Sequence, residues 1–240
     1  MDIKKDGVAL YHTVKEKLLG NIEDGKYTPG QQLPTESDLC EIFGVSRTTI
    51  RLALNQLKLE GHIYQIQGKG TFVSLPKVEE SVTPYRSYRE YLRGLGLQVE
   101  TKVIQLNVVS ADKHLAKMLN IAEQDAVFRL ERLRLADHTP LLYSITYIPW
   151  KVTPGLNKEE CSGSLYELMK TKFSIQLSHC VETLEPILVD EAISKHLNAP
   201  VGAPSFLLNT ISYAKGQVPV EYSHEIFRGD RAKFTIERKL

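Results

Sequence analysis

Between Leu10 and Val73 apolar residues recur first at helical and then at strand spacing. Tyr11, Val14, Leu18 and Ile22 form one stripe of period 3.6, which predicts a helix over 10–23. Gly25 to Gly30, with Pro29, predicts the turn that ends it. Thr35 followed by Asp38 is an approximate capping box, so a second helix is expected there with Leu39, Ile42 and Phe43 on its apolar side. Gly44 breaks that helix. Ser46 then caps a third, in which Ile50, Ala53, Leu54 and Leu57 face a core while Arg47, Arg51, Asn55 and Lys58 fall on a separate stripe. His62 to Ile66 and Thr71 to Val73 are β-prone and flank Gln67-Gly68-Lys69-Gly70, which predicts a hairpin with a glycine-rich tip.

The pattern changes after Val73. Ser74 to Thr83 is polar, holds Pro76 and has no strong period, so it reads as a linker between a first domain over 1–73 and a second over 84–240. In the second domain, helices are expected over 85–95, 111–119, 164–172 and 190–197. Strands are expected over 99–109, 126–136, 141–149 and 175–188, with a hairpin of 205–213 and 218–227 around Ala214-Lys215-Gly216-Gln217. Strands joined by short turns predict an antiparallel sheet with helices outside it, so the fold class is α+β. Arg228-Gly229-Asp230 reads as a turn with a structural salt bridge.

The two-helix pattern with a basic stripe is a helix-turn-helix. The chemistry of the stripe suits double-stranded DNA: arginine can grip a guanine edge with two parallel hydrogen bonds, and short hydroxyls at a helix start reach phosphates. The candidate DNA-contacting residues are Thr35, Glu36, Ser46, Arg47, Thr48, Thr49 and Arg51, with Gly68, Lys69 and Gly70 at the hairpin tip, placed as a wing in the minor groove. The alternative is an amphipathic helix pair in a core, followed by an ordinary hairpin.

Composition adds little and excludes some classes. The chain has 240 residues, 42% of them hydrophobic and 25% charged, with net charge +1. That suits sizeable cores and argues against a general nucleic-acid coat. Residues 46–75 nevertheless carry Arg47, Arg51, Lys58 and Lys69 against the single acid Glu60, so positive charge sits where the motif needs it. Cys40, Cys161 and Cys180 are scattered, and there is no long apolar run or leader pattern, so a reduced, cytoplasmic protein without a membrane partner is expected. The histidines show no metal-ligand spacing, and no nucleophile–base set, metal set or cofactor loop is present.

The stretch LPTESDLCEIFGVSRTTIRLALNQLKLEGHIYQIQGKGTFV closely resembles the winged helix-turn-helix of GntR-type bacterial repressors. The remaining chain resembles the UTRA ligand-sensing domain of the HutC subfamily. The resemblance implies a chorismate-lyase-like sheet around an effector pocket and a homodimer paired through the sensing domains. Such a dimer would read a palindromic operator, with half-sites about one helical turn apart.

In Glu131-Arg132-Leu133-Arg134-Leu135 the alternation places both arginines on one face of a strand. Spacing alone allows them either to pair with an acid such as Glu221 across the sheet or to hold an anion. The resemblance assigns Arg132 and Arg134 to an effector's phosphate or carboxylate, with Ser164 and Tyr166 at a helix start and Glu221 completing the pocket. Ser87 and Tyr88, in a weaker match, could offer a second helix start.

Three positions depart from the family. Ser37 stands where arginine is frequent and helps to read the operator. Ser144 stands where sugar-phosphate sensors can carry glutamate, and Phe227 where relatives have tyrosine. The function these residues imply is a repressor released from DNA by a small anionic metabolite, a sugar phosphate foremost, with no cofactor. A non-phosphorylated carboxylic acid as effector, and an enzyme of lyase-like fold, are the alternatives.

Overall fold

Helix α1 (Leu10–Glu23) buries Val14 and Leu18, and packs them on α2 (Glu36–Phe43) and α3 (Arg47–Leu59). The structure, a computed structural model, describes residues 9–74, 78–81 and 98–235. The chain divides into two compact units, 1–78 and 79–240. The expected helix over 85–95, with Ser87 and Tyr88, lies outside the described residues.

In the first unit, Thr35 and Asp38 form a complete reciprocal capping box, and the left-handed Gly44 ends α2. Ser46 caps α3 by accepting from the Thr49 amide. Ile50, Ala53, Leu54 and Leu57 are all buried, as the period requires. Ile42 is the exception among the expected core residues. It is 58% exposed, because α2 has only eight residues and Leu39 and Phe43 already fill the side that faces the core. Strands β1 (Ile63–Ile66) and β2 (Gly70–Val73) pair antiparallel as the wing. The segment before α2 lies beside β2, with Leu33 donating to the Thr71 carbonyl and Gln32 bridging to Phe72.

The second unit is a six-stranded antiparallel sheet whose strands lie side by side in the order 99–110, 126–136, 139–149, 218–228, 204–214 and 177–188. Its two halves have the same plan. Strand β4 (Val99–Ser110), α4 (Lys113–Leu119), β5 (Ala126–Ala136) and β6 (Thr139–Pro149) make the first half. Strand β7 (Leu177–Leu188), α6 (Glu191–Leu197), β8 (Pro204–Ala214) and β9 (Val218–Arg228) make the second. Matching elements have identical lengths: 12, 7, 11 and 11 residues.

Their helices also begin and end alike. Asp112 and Asp190 accept from the third amide of α4 and α6, and left-handed Asn120 and Asn198 close them. The halves join where β6 pairs with β9. Helices α4 and α6 cover one face, around Val127 and Tyr222 and around Tyr143 and Ile226. A 3-10 turn (Glu159–Ser162) and α5 (Leu165–Phe173) cover the other, through Cys161, Leu165 and Met169 on Phe128, Leu130 and Ile148.

Two short strands were not anticipated. Strand β3 (Val78–Ser81) falls inside the stretch read as linker, and it pairs with β10 (Ala232–Thr235). Phe234 of β10 stacks edge-on against Phe206 and Phe227. The Arg228-Gly229-Asp230 turn is tied as expected: Arg228 holds Asp230 at 2.7 and 3.0 Å and donates to the Leu197 carbonyl at the end of α6. At Gly229 an added Cβ would lie 2.4 Å from the Pro204 carbonyl oxygen, so only glycine allows β9 to turn there.

Candidate functional site

The first unit presents one polar face. Arg47, Arg51, Asn55 and Lys58 are all exposed along α3. Arg51 is held by Glu36 at 2.9 Å, and Arg47 donates to Ser37 Oγ at 3.0 Å. The small hydroxyl at position 37 therefore orients the arginine at the start of α3. Ser46 and Thr49 share a 2.9 Å hydroxyl bond, and Thr48 is exposed beside them.

At the wing tip, Gln32 Nε2 donates to the Lys69 carbonyl at 2.8 Å, while the Lys69 side chain extends into solvent. Gly70 sits at φ +127°, where any side chain would be strained, and its Cβ would press on Gln32 Nε2. The wing is thus anchored by its backbone and offers one exposed cation. Lys69→Ala is expected to weaken binding to all duplexes alike and to flatten the log–log salt dependence by roughly 0.9 for each wing on the DNA, about two units where two copies bind. Titrations of specific and scrambled duplexes at several salt concentrations check it, and a change in base preference would give the wing a reading role.

The second unit holds a polar band on the sheet face under α5. Register places Arg132 opposite Ser144 and Ser144 opposite Glu225. One row further, Thr146, Ser223 and Thr210 are neighbours on β6, β9 and β8, and Glu221 faces Ser212. Arg132, Ser144, Thr146, Thr210, Ser212, Glu221 and Ser223 are all buried. The first half of the repeat contributes the cations and the second the carboxylates, so the face has a positive and a negative pole.

Arg132 is 2% exposed, and its Nε and Nη1 atoms have no hydrogen-bond partner. Burial and the neighbouring Arg134 lower it to about 10, which still leaves it charged at neutral pH. Ser144 Oγ and Thr146 Oγ1 are likewise buried without partners. Arg134 reaches across β6 to Glu225 at 3.8 Å. The cross-sheet salt bridge that spacing allowed is therefore made by Glu225. Glu221 instead accepts from Ser212 at 2.7 Å, and the Tyr166 hydroxyl lies 3.0 Å from Ser212 Oγ.

Tyr166 is 45% exposed as a residue but turns its hydroxyl inward. Ser164 is the N-cap of α5 and accepts from the Glu167 amide at 3.3 Å. Phe227 is fully buried, and its ring closes the band toward Phe234. Of the effector residues expected from sequence, the structure brings Arg132, Arg134, Ser144, Tyr166 and Glu221 to this face. Thr146, Ser212 and Glu225 were missed, although the alternation Leu142-Ser144-Thr146-Ile148 along β6 marks the same face.

Burial, with the Glu225 carboxylate adding to it and the Ser212 hydroxyl opposing it, raises Glu221 above the usual carboxylate range. A raised carboxyl favours folding when protonated, and that stability is lost as pH rises from the unfolded value through the folded one. Glu221→Gln is expected to raise the melting temperature at neutral pH and to reduce the stability lost between acidic and neutral pH. Melting curves across that range test it, and an unchanged pH profile would contradict it.

Two family profiles cover most of the chain. Residues 10–73 match the bacterial regulatory proteins of the gntR family, and residues 94–233 match the UTRA domain. The chain belongs to the GntR family and carries a UTRA domain. A transcriptional repressor named NagR from Bacillus subtilis is 29% identical over 96% of this chain and 95% of its own length. A probable fructoselysine utilization operon transcriptional repressor of Escherichia coli is 33% identical, again over 96% and 95%.

The crystal structure of PhnF from Mycobacterium smegmatis superposes with a TM-score of 0.67 at 29% identity, covering 94% of this chain and 99% of that one. This GntR regulator is thus a transcriptional regulator of the HutC, UTRA-containing type, with the α+β architecture of its relatives. The relatives are transcriptional repressors, which removes the enzyme alternative. Among the described residues, no helix is long and apolar enough to cross a membrane.

Proposed function

We propose that this GntR regulator is a homodimeric repressor that leaves a palindromic operator when a small anionic metabolite binds the α5 face of its UTRA domain. In this reading, residues 1–73 bind DNA, 74–83 link the domains, and 84–240 sense the effector and dimerise. Arg47 reads a base edge; Ser46, Thr48, Thr49 and Thr35 hold phosphates; Arg51 with Glu36 and the tip Gly68-Lys69-Gly70 complete the footprint. Arg132 and Arg134 receive the anion. Ser144, Ser164, Tyr166 and Glu221, beside Phe227, take the rest of the ligand, and Ser87 and Tyr88 belong to the same proposed pocket.

The observation that carries the reading is the buried Arg132 guanidinium with two unpartnered nitrogens. A buried cation is costly unless something satisfies it, and an anion presented along the Nε–Nη1 edge does so with paired hydrogen bonds. The opposite pole, Glu221 with Ser212 and Tyr166, suits hydroxyl or amine donors on the same ligand. One relative carries the name of a fructoselysine repressor and another that of a mannosyl-D-glycerate system repressor, which supports a carbohydrate derivative. A sugar phosphate is the effector favoured here, because a phosphate has acceptors enough for Arg132, Ser144 and Thr146 together.

The test is a thermal-shift and fluorescence-anisotropy screen of sugar phosphates and free sugar acids. A ligand at a hundred times its dissociation constant adds about 2.7 kcal/mol, a shift of roughly 5–10 °C for a unit of this size. The same ligand should release the labelled operator. Release by carboxylates alone would replace the phosphate reading, and a tight ligand that leaves DNA bound would overturn the induction reading.

A further inference from the structure

The last paired rung of the wing is Ile66 with Gly70, and the tip beyond it runs through Gln67, Gly68 and Lys69. Gly68 at φ +74° and Gly70 at φ +127° flank Lys69. The lysine therefore sits between the two residue positions with the widest backbone freedom. Its amide donates to the Ile66 carbonyl at 3.0 Å within the turn, and its carbonyl accepts from Gln32 Nε2 at 2.8 Å. That second bond comes from outside the hairpin, from a residue 37 positions earlier.

Gln32 is seated by its own backbone neighbours. Gly30 donates to the Val73 carbonyl at 2.9 Å, Val73 to the Gln31 carbonyl at 2.9 Å and Leu33 to the Thr71 carbonyl at 2.8 Å. Leu33 is buried in the core of the first unit, which fixes the chain at the base of the Gln32 side chain. Gly70 leaves the room that this side chain needs, since an added Cβ would lie 2.5 Å from Gln32 Nε2.

We infer that Gln32 is a positioning residue for DNA binding: its amide holds the glycine-flanked tip in the shape that meets DNA, and so presents Lys69. A segment ordered before binding does not add its ordering cost to association. The arm carries no charge, so it acts through Lys69 rather than on a phosphate of its own. Its length and its donor are both needed. Asparagine ends one methylene short of the Lys69 carbonyl, and methionine keeps the length but donates nothing. This inference rests on the wing reading proposed above.

Anisotropy titration of the full chain on a labelled scrambled duplex, and on a duplex the protein selects from a random pool, tests it. Gln32→Met and Gln32→Asn should each weaken binding to both by about three- to tenfold. The bond lost is exposed, so melting should stay within a few degrees of wild type. The salt dependence should keep its slope, unlike that of Lys69→Ala, because the same phosphates are met once the tip is ordered. In a Lys69→Ala background the Gln32→Met change should cost less than about twofold, because the clamp then has no cation to present. Wild-type affinity in both Gln32 variants, or a full cost that persists without Lys69, would overturn the inference and leave the wing on DNA. A flattened slope in Gln32→Met would make Gln32 a phosphate contact instead. Parental affinity in Lys69→Ala itself would sink the wing reading, and the positioning role with it.

Discussion

Arg132→Met is expected to make this regulator blind to its effector while leaving it as stable as the parent or up to a few kcal/mol more stable. Exchanging a poorly satisfied buried charge for an apolar side chain of similar volume is often neutral or stabilising by about 1–4 kcal/mol. Arg132 fits that case: its Nε and Nη1 are unpartnered, and Arg134 adds like-charge repulsion. Glu225 keeps Arg134 as its counter-ion, and Glu221 keeps the Ser212 hydroxyl bond. Operator affinity should not change, and ligand-driven release should be lost. Chemical denaturation beside anisotropy titration separates the two, and a variant several kcal/mol less stable would make Arg132 a structural residue.

The second large effect is on the DNA side. Arg47 is exposed at the first position of α3, where its loss costs little in folding, and Ser37 holds it before DNA arrives. A bidentate arginine–guanine contact is worth about 1–3 kcal/mol. A dimer makes the contact in each half-site, so Arg47→Ala should weaken specific binding by about 30-fold to more than 10,000-fold, counting a factor of ten per 1.4 kcal/mol. Binding to scrambled duplex should barely move. A loss shared equally by both duplexes would make Arg47 a phosphate clamp.

How much of this could be read in the chain depends on the distance over which each feature is decided. The core stripe of α3, the capping box of α2 and the Ser46 cap of α3 are decided within one or two helical turns, and they are legible. Ile42 was misplaced because an eight-residue helix has room for one buried turn, and which turn it is depends on where α1 lies. The alternation placing Arg132 and Arg134 on one face was legible too. Their acid was not: Arg134 on β5 and Glu225 on β9 are separated by β6, and that order follows from how the two halves of the repeat join.

The repeat itself hides in plain residues, Asp112 to Asn120 against Asp190 to Asn198, where helices of equal length share cap chemistry but few side chains. On the other face, Glu131 meets both Arg129 and the Tyr143 hydroxyl. Along the chain Glu131 shows only as a flank of the arginines, because its neighbours depend on the pairing of β5 with β6.

Strand β3 follows directly on the wing in sequence, yet its hydrogen-bonding partner β10 comes after every other strand of the second unit. A ribosome therefore exposes a helix-turn-helix whose core is already complete long before β3 has anything to pair with. The DNA-reading head can fold early on local contacts, whereas the strand that leaves it must wait for the whole sensing unit. Newly made chains should thus pass through a stage with a finished head and an unfastened strand, and zipping β3 to β10 would be among the last acts of maturation.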